Sequence, residues 1–151
     1  MLSIIVLAAG KGTRMHSALP KVLQPLAGKP LLEHVINTSQ LLNPEEVCIV
    51  YGFCGEKIQK KFIANTQLLW AHQNEQLGTG HAVKQATKII SKNNKALILY
   101  GDVPLISSAT LQLLIKEHRD NEISLLTALL PSGAGYGRII RHNNLVQAII
   151  E

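Results

Sequence analysis

The chain of 151 residues has few cysteines, few aromatic residues and no long apolar run. Its two cysteines, Cys48 and Cys54, are too few for a disulfide framework, so we expect reduced thiols in a cytoplasm. Aromatic residues make up 4% of the sequence, too few for the stacking platforms that bind single-stranded nucleic acid. No apolar run reaches about 18 residues, which excludes a transmembrane helix. No basic residue precedes the apolar N-terminal stretch, so no signal peptide is expected.

Several catalytic and metal-binding motifs are also missing. The sequence has no P-loop signature, and Met15 stands where a dinucleotide fingerprint has its third glycine. The six histidines show neither an H-E-x-x-H motif nor the Cys/His spacing of a zinc site. No D-x-D pair and no legible Ser-His-Asp signature is present. These absences argue against P-loop enzymes, zinc enzymes, triad hydrolases and glycosyltransferases of the D-x-D type.

The composition that remains is that of a packed, basic, globular domain. Hydrophobic residues make up 46% and charged residues 17% of the chain. Lys and Arg number 15 against 10 Asp and Glu, which gives a net charge of +5. Such a balance suits an anionic partner, either nucleic acid or a phosphorylated small molecule. The scarcity of aromatic residues favours the small molecule.

Apolar segments typical of strands alternate with amphipathic helical segments along the chain. The pattern predicts strands at residues 3–8, 46–51, 67–71, 95–100 and 123–130, and helices at 31–42, 56–65, 79–92 and 108–119. Residues 137–141 and 145–151 are expected to form a hairpin. The order predicts one α/β domain over residues 1–151, with a Rossmann-like, mostly parallel sheet and helices on both faces. Ligands of such sheets bind at the carboxyl ends of the strands.

The motif after the first predicted strand carries the strongest functional signal. It comprises Leu7, Ala8, Ala9 and Gly10, then Gly12, Arg14 and Lys21. Small residues leave the backbone bare, so that its N–H groups can approach phosphates. The two cations could contact phosphate oxygens. The simpler interpretation is a tight turn beside two solvated cations.

Polar motifs also follow two later predicted strands. Gln73 and Gln76 can donate and accept hydrogen bonds together, which suits the edge of a nucleobase, and Gly78 would let backbone approach the ring. Thr79 is also the expected N-cap of the next helix. Asp102, directly after a buried strand, suits a hard divalent cation such as Mg²⁺, although it could instead cap a turn.

A glycine-rich segment at residues 133–138 enters the predicted hairpin. Tyr136 could form the wall of a sugar site and the backbone N–H groups around Gly137 could donate to it. An irregular hairpin entry is the alternative, and the segment alone does not decide between them.

Together these motifs closely resemble the uridylyltransferase (pyrophosphorylase) domain of the bacterial bifunctional N-acetylglucosamine-1-phosphate uridylyltransferase/glucosamine-1-phosphate N-acetyltransferase family. The similarity runs from Ile4 to Glu151. Residues 7–14 with Pro20-Lys21 are typical of the wider sugar-nucleotidyltransferase superfamily. The segments 75–82, 100–105 and 135–139 are much more specific to the bifunctional enzymes.

The resemblance implies a nucleotide-diphospho-sugar transferase fold and a Mg²⁺-dependent reaction. UTP and N-acetylglucosamine 1-phosphate would give UDP-N-acetylglucosamine, a bacterial cell-wall precursor, and pyrophosphate. The implied substrate contacts are Leu7, Ala8, Ala9 and Gly10 for the uridine and its phosphates, Gln73, Gln76, Gly78 and Thr79 for uracil, Tyr100 and Gly101 for ribose, and Gly137 and Glu151 for the amino sugar. The implied catalytic residues are Arg14 and Lys21, which contact the phosphates, and Asp102, which binds the metal.

In that family the domain continues past the position of Glu151 and is followed by a β-helix domain that carries the acetyltransferase and holds a homotrimer. We therefore expect residues 1–151 to be the N-terminal part of the transferase domain, without the β-helix domain. We expect this chain to bind uridine nucleotides weakly without turning them over, and to have no nucleic-acid or membrane partner. An inactive uridine-binding fragment, and a nucleotidyltransferase of the same fold for another base or sugar, remain alternatives.

Overall fold

The computed structural model describes residues 1–10, 12, 17, 19–132, 135–143 and 145–150. The chain divides into two compact units, Met1–His118 and Arg119–Glu151. The elements of the first unit are the strands β1 (Leu2–Ala8), β2 (Pro25–Leu26), β3 (Lys29–Pro30), β4 (Glu46–Tyr51), β5 (Leu68–His72) and β6 (Lys95–Tyr100), and the helices α1 (Leu31–Gln40), α2 (Gly55–Lys61), α3 (Thr79–Ala86) and α4 (Ser108–Glu117). Within the described ranges, no helix combines the length and apolar character needed to cross a bilayer.

The main sheet is parallel throughout, with the strand order β5-β4-β1-β6. β1 lies at its centre, where Val6 stands beside Ile49 of β4 and Leu99 of β6. A strand with neighbours on both edges and helices on both faces has no exposed side, which explains the unbroken apolar run of β1. The predicted Rossmann-like, mostly parallel α/β architecture is confirmed.

Each face of this sheet is covered by its own apolar cluster. On one face, Ile4 packs with Val35 of α1 and Leu111 of α4. On the other face, Ile5 packs with Ala86 of α3, which is completely buried. The small alanine allows α3 to lie close to the sheet. The carboxyl ends of β1, β4, β5 and β6 therefore lie at one edge of a sheet that is covered on both faces.

Residues 95–100 were predicted as a buried strand, but β6 is buried on one face only. Leu97 and Leu99 are buried, but Ile98 is 42% and Tyr100 is 52% exposed. β6 is an edge strand, and α3 packs against β1, β4 and β5 instead. The face of β6 that carries Ile98 and Tyr100 is therefore exposed.

The helix predicted at residues 79–92 ends at Ala86. The Thr87 hydroxyl donates to the Lys84 carbonyl at 3.0 Å, and the next backbone bonds tighten, with the Ile89 N–H donating to Ala86. Ile89, which lies beyond the end of this helix, is exposed. The other three helices also end a few residues before their predicted ends. The N-cap of α4 is Ser107, and its side chain accepts from the Thr110 N–H.

The second unit contains the hairpin of β7 (Arg138–His142) and β8 (Leu145–Ile150). The predicted hairpin is confirmed, with Asn143 in the left-handed region at a φ of 49°. The strand predicted at 123–130 is wrong, because those residues form no ladder with another described strand. Apolar, β-prone residues make a strand only where a neighbour pairs with their backbone.

Candidate active site

A cavity of about 670 Å³ opens at the carboxyl edge of the main sheet in the first unit. This volume lies within the usual range for small-molecule sites, about 300–1,000 Å³. Its walls come from the ends of β1 and β6, the segment after β5 and the start of α3. The lining residues are Leu7, Ala8, Ala9, Gly10, Gly12, Lys21, Val22, Gln73, Gln76, Gly78, Thr79, Ala82, Tyr100 and Asp102.

The end of β1 forms a wall of the cavity that carries little side-chain bulk. Ala8 and Ala9 are buried, and their short side chains add little bulk. Gly12 has a φ of +61°, and a Cβ at this position would lie 2.8 Å from the Cβ of Lys21. Only glycine meets both conditions without strain, so the backbone at position 12 can lie close to Lys21.

Lys21 and Asp102 form an ion pair at the cavity, with 2.5 Å between Nζ and Oδ2. Lys21 opens a short 3₁₀ helix, Lys21–Leu23, which Val22 anchors in the core. Asp102 follows Gly101 directly after β6, and a Cβ on Gly101 would lie 3.1 Å from the Leu7 carbonyl oxygen. The two side chains are 42% and 29% exposed, so the pair is worth about 0–1 kcal/mol and can rearrange when a charged ligand binds.

The cavity is also lined by a segment that we call the amide loop, residues 73–79. The Gln73 N–H continues the sheet pattern by donating to the Tyr51 carbonyl at 2.8 Å. The side chain of Gln73 is buried and donates from Nε2 to the Gly78 carbonyl at 3.2 Å and to Nδ1 of His81 at 3.1 Å. Gln76 donates from Nε2 to the Gln73 carbonyl at 3.3 Å. These bonds hold both amides at the cavity wall.

The N-cap of α3 is Gly78, so the prediction that Thr79 caps this helix is wrong. Gly78 has a φ of +93°, a conformation that a β-branched residue rarely adopts, and its carbonyl accepts from the Ala82 N–H. Thr79 is the first helical residue and lines the cavity.

Most of the predicted substrate residues therefore surround one cavity, although their roles remain predictions. Gly101 is not among the lining residues, and a Cβ at this position would lie 3.1 Å from the Leu7 oxygen and 3.3 Å from the Val22 side chain. Gly137 belongs to the second unit, while Arg14 and Glu151 lie outside the described residues. The lining residues not predicted as site residues are Gly12, Val22 and Ala82. Each stands within or next to a motif noted in the sequence, and that proximity is the signal that could have found it.

The donor set for a metal ion is small. In the described part of the chain, no group of three or more His, Cys, Asp or Glu side chains could hold a metal. Asp102 nevertheless lines the cavity and has one carboxylate oxygen not engaged by Lys21. One protein carboxylate completed by substrate phosphates is a usual arrangement for Mg²⁺, so Asp102 fits such an ion when a nucleotide is bound.

Two groups with shifted pKa values, Glu46 and Cys48, lie on β4 and do not line the cavity. The Ser91 backbone N–H, the Ser3 hydroxyl and the Ser91 hydroxyl hold the pKa of Glu46 below its usual 4.5, although partial burial opposes them. Burial, assisted by the nearby Glu46 charge, raises the pKa of the Cys48 thiol to about 11. Both groups belong to the interior strand β4, so their shifts affect the stability of the sheet and not the charge of the cavity.

Comparison with known proteins agrees with this geometry. The model of the MobA-like NTP transferase domain matches residues 4–142. The "Bifunctional protein GlmU" of Nitrosomonas eutropha is 50% identical over 152 residues, which cover 99% of this chain and 33% of that protein. GlmU of Nitrosospira multiformis is 55% identical with the same coverage. The chain thus spans about a third of the length of these curated relatives.

Solved structures show the same fold. HddC from Yersinia pseudotuberculosis superposes with a TM-score of 0.78 at 23% identity, over 100% of this chain and 69% of that one. A nucleotidyl transferase from Methanothermobacter thermautotroptrophicus gives a TM-score of 0.66 at 20% identity, over 78% of this chain and 57% of that one. With a family match over most of its length and a cavity at the carboxyl edge of its sheet, this chain belongs to the MobA-like NTP transferase domain family.

Proposed function

We propose that this chain forms the UTP-binding part of an enzyme that makes UDP-N-acetylglucosamine and pyrophosphate from UTP and N-acetylglucosamine 1-phosphate. One observation carries the proposal: the bare end of β1, the amide loop and the Lys21–Asp102 pair surround a single cavity. The identity of about half of all residues with GlmU proteins supports this choice of substrates.

The amide loop would bind the uracil ring. Gln73 and Gln76 line the cavity and offer side-chain amides, which can match the donors and acceptors of a pyrimidine edge. Gly78 and Thr79 bring backbone to the same wall, and Tyr100, which lines the cavity at the end of β6, would contact the ribose.

The opposite side of the cavity would bind the phosphates. Lys21 would exchange part of its contact with Asp102 for phosphate oxygens, and Arg14 would add a second cation. Asp102 together with the phosphates would hold Mg²⁺, which neutralises phosphate charge when bound. The backbone from Leu7 to Gly10 is bare enough for its N–H groups to approach the same oxygens.

The reaction requires mainly that the sugar phosphate and the α-phosphate of UTP be held in the correct positions. An oxygen of the sugar 1-phosphate forms a bond to the α-phosphorus of UTP, the bond from that phosphorus to the β-phosphate bridging oxygen breaks, and pyrophosphate leaves. Lys21 and Arg14 would stabilise the charge that develops on the transferring phosphoryl group. Gly137 and Glu151 would contact the amino sugar. No covalent nucleophile of the protein is needed.

The wider setting is part of the same proposal. The two cysteines are free thiols, which agrees with a cytoplasmic enzyme of cell-wall and lipopolysaccharide precursor synthesis. The whole protein would be a homotrimer held by segments outside this chain.

A chimera tests the proposal most cleanly. The matching third of Nitrosomonas eutropha GlmU is replaced by this chain, and pyrophosphate release is measured with UTP, N-acetylglucosamine 1-phosphate and Mg²⁺. We expect activity that depends on UTP and falls by about 10²–10³ in the Asp102→Asn version. A well-folded chimera with no activity, or one whose activity ignores Asp102, would contradict the proposal.

A further inference from the structure

We propose that His81 is a positioning residue for base selection. It holds the side-chain amide of Gln73 so that the oxygen of this amide, and not its nitrogen, is offered to the base. A base that presents a ring N–H, as uracil does at N3, is then preferred over cytosine, which presents a lone pair there. The inference rests on the proposed function, because it takes Gln73 to face the base.

The orientation of the Gln73 amide follows from a backbone carbonyl. Gln73 is 3% exposed, and its side-chain nitrogen lies 3.2 Å from the Gly78 oxygen. A carbonyl oxygen can only accept, so the amide must present its nitrogen there. The second hydrogen of that nitrogen points to Nδ1 of His81, 3.1 Å away. Both amide hydrogens are thus engaged within the protein.

These contacts also determine the tautomer of His81. Because Nδ1 accepts from Gln73, the proton of the neutral ring lies on Nε2. The amide of Gln85, one turn further along α3, lies 2.9 Å from Nε2. In the structure the Gln85 nitrogen faces Nε2, while the Gln85 oxygen accepts from Lys88 Nζ at 2.7 Å. The Nε2–H tautomer requires this amide to turn over and give up its contacts with Lys88, which is exposed to water, and with the His81 carbonyl at 3.4 Å. His81 is therefore held between two glutamines.

The Gln73 oxygen is the polar atom of this side chain that remains for a ligand. Among the described residues none donates to it, and Gln73 lines the cavity. Uracil N3–H can donate to this oxygen, whereas cytosine N3 would set a lone pair against it. To accommodate cytosine, the buried amide would have to turn over and lose its bonds to Gly78 and His81, which buried polar groups do only at a cost.

A matched pair of variants tests the positioning role. His81→Leu removes the acceptor, while His81→Asn keeps one, since the Asn oxygen can occupy the place of Nδ1. The affinities of this chain for UTP and CTP are measured by calorimetry with Mg²⁺. We expect the UTP preference to fall about fivefold to tenfold in His81→Leu, the worth of one buried hydrogen bond, and to stay within about twofold in His81→Asn.

Two results would overturn the inference while leaving the proposed function in place: an unchanged preference in His81→Leu, or an equal loss in both variants. Absence of UTP binding by the wild type would instead reject the proposed function. A further measurement uses the wild-type chain, so its result does not depend on whether a variant folds. Long-range ¹H–¹⁵N spectra of the wild type at alkaline pH should show His81 protonated on Nε2, and protonation on Nδ1 would overturn the positioning of Gln73.

Discussion

Replacing Lys21 by alanine should weaken nucleotide binding far more than it weakens the fold. The only ion pair that Lys21 makes with a described residue is the contact with Asp102, and its side chain is 42% exposed. Water screens a pair of this kind, so the free energy of unfolding should fall by about 1 kcal/mol or less.

Binding should respond more strongly, because phosphate charge is concentrated and multiple. A hydrogen bond to a charged group contributes about 1.5–3 kcal/mol. Parting from Asp102 offsets about 1 kcal/mol of this at most. With the full offset, the net loss of about 0.5–2 kcal/mol corresponds to UTP affinity about twofold to thirtyfold lower.

Lys29 offers a matched control for this experiment. It is also a partly exposed lysine in an ion pair, 3.4 Å from Glu33, but it is not among the cavity-lining residues. UTP binding to Lys21→Ala and Lys29→Ala is measured by calorimetry with Mg²⁺, and stability by urea unfolding. Equal effects of the two variants on UTP affinity, or a large loss of stability in Lys21→Ala with unchanged affinity, would refute the reasoning.

Three further predictions concern the amide loop and the main sheet. Gly52→Ala should lower UTP affinity about tenfold in calorimetry, because a Cβ there would lie 2.9 Å from a backbone oxygen of the amide loop and displace it; Gly80→Ala, which meets open space, is the control, and equal behaviour of the two would be evidence against a tightly packed loop. The pKa of Glu46 is lowered in the folded state, so its stabilising contribution is present above pH 4.5 and is lost as the pH falls through the folded value. Urea unfolding at a series of pH values should therefore show a weaker loss of stability on acidification in Glu46→Gln, and identical slopes would contradict the assignment. Since burial raises the pKa of Cys48 to about 11, iodoacetamide and mass spectrometry at neutral pH should find Cys54 alkylated before Cys48, and the reverse order would argue against the buried thiol.

The sheet was largely predictable, because its strands are continuous apolar runs between glycines and polar residues. The bounds predicted for 46–51 and 95–100 match β4 and β6. The exposure of side chains on the edge strand β6 was not predictable in the same way. Ile98 has the same apolar character as its neighbours, and only the position of α3 leaves it exposed. The segment 123–130 shows the same limit, since pairing depends on a partner strand and not on propensity alone.

The site was predictable as a set of strand-end motifs but not as a set of contacts. A parallel sheet gathers the carboxyl ends of its strands, which is why motifs far apart in sequence meet at one cavity. Lys21 and Asp102 are 81 residues apart, and their pairing depends on the register of β1 against β6. The role of Gly78 as helix cap depends on a positive φ that spacing does not reveal.

The central claim is that the cavity of the first unit binds a uridine nucleotide. Calorimetric titration of the wild-type chain with UTP, CTP, ATP and GTP, each with Mg²⁺, tests it most directly, with Gln73→Ala alongside. We predict that UTP binds at least about tenfold more tightly than each of the others, and that Gln73→Ala reduces this preference. Equal affinity for all four nucleotides, or no binding of UTP, would contradict the claim.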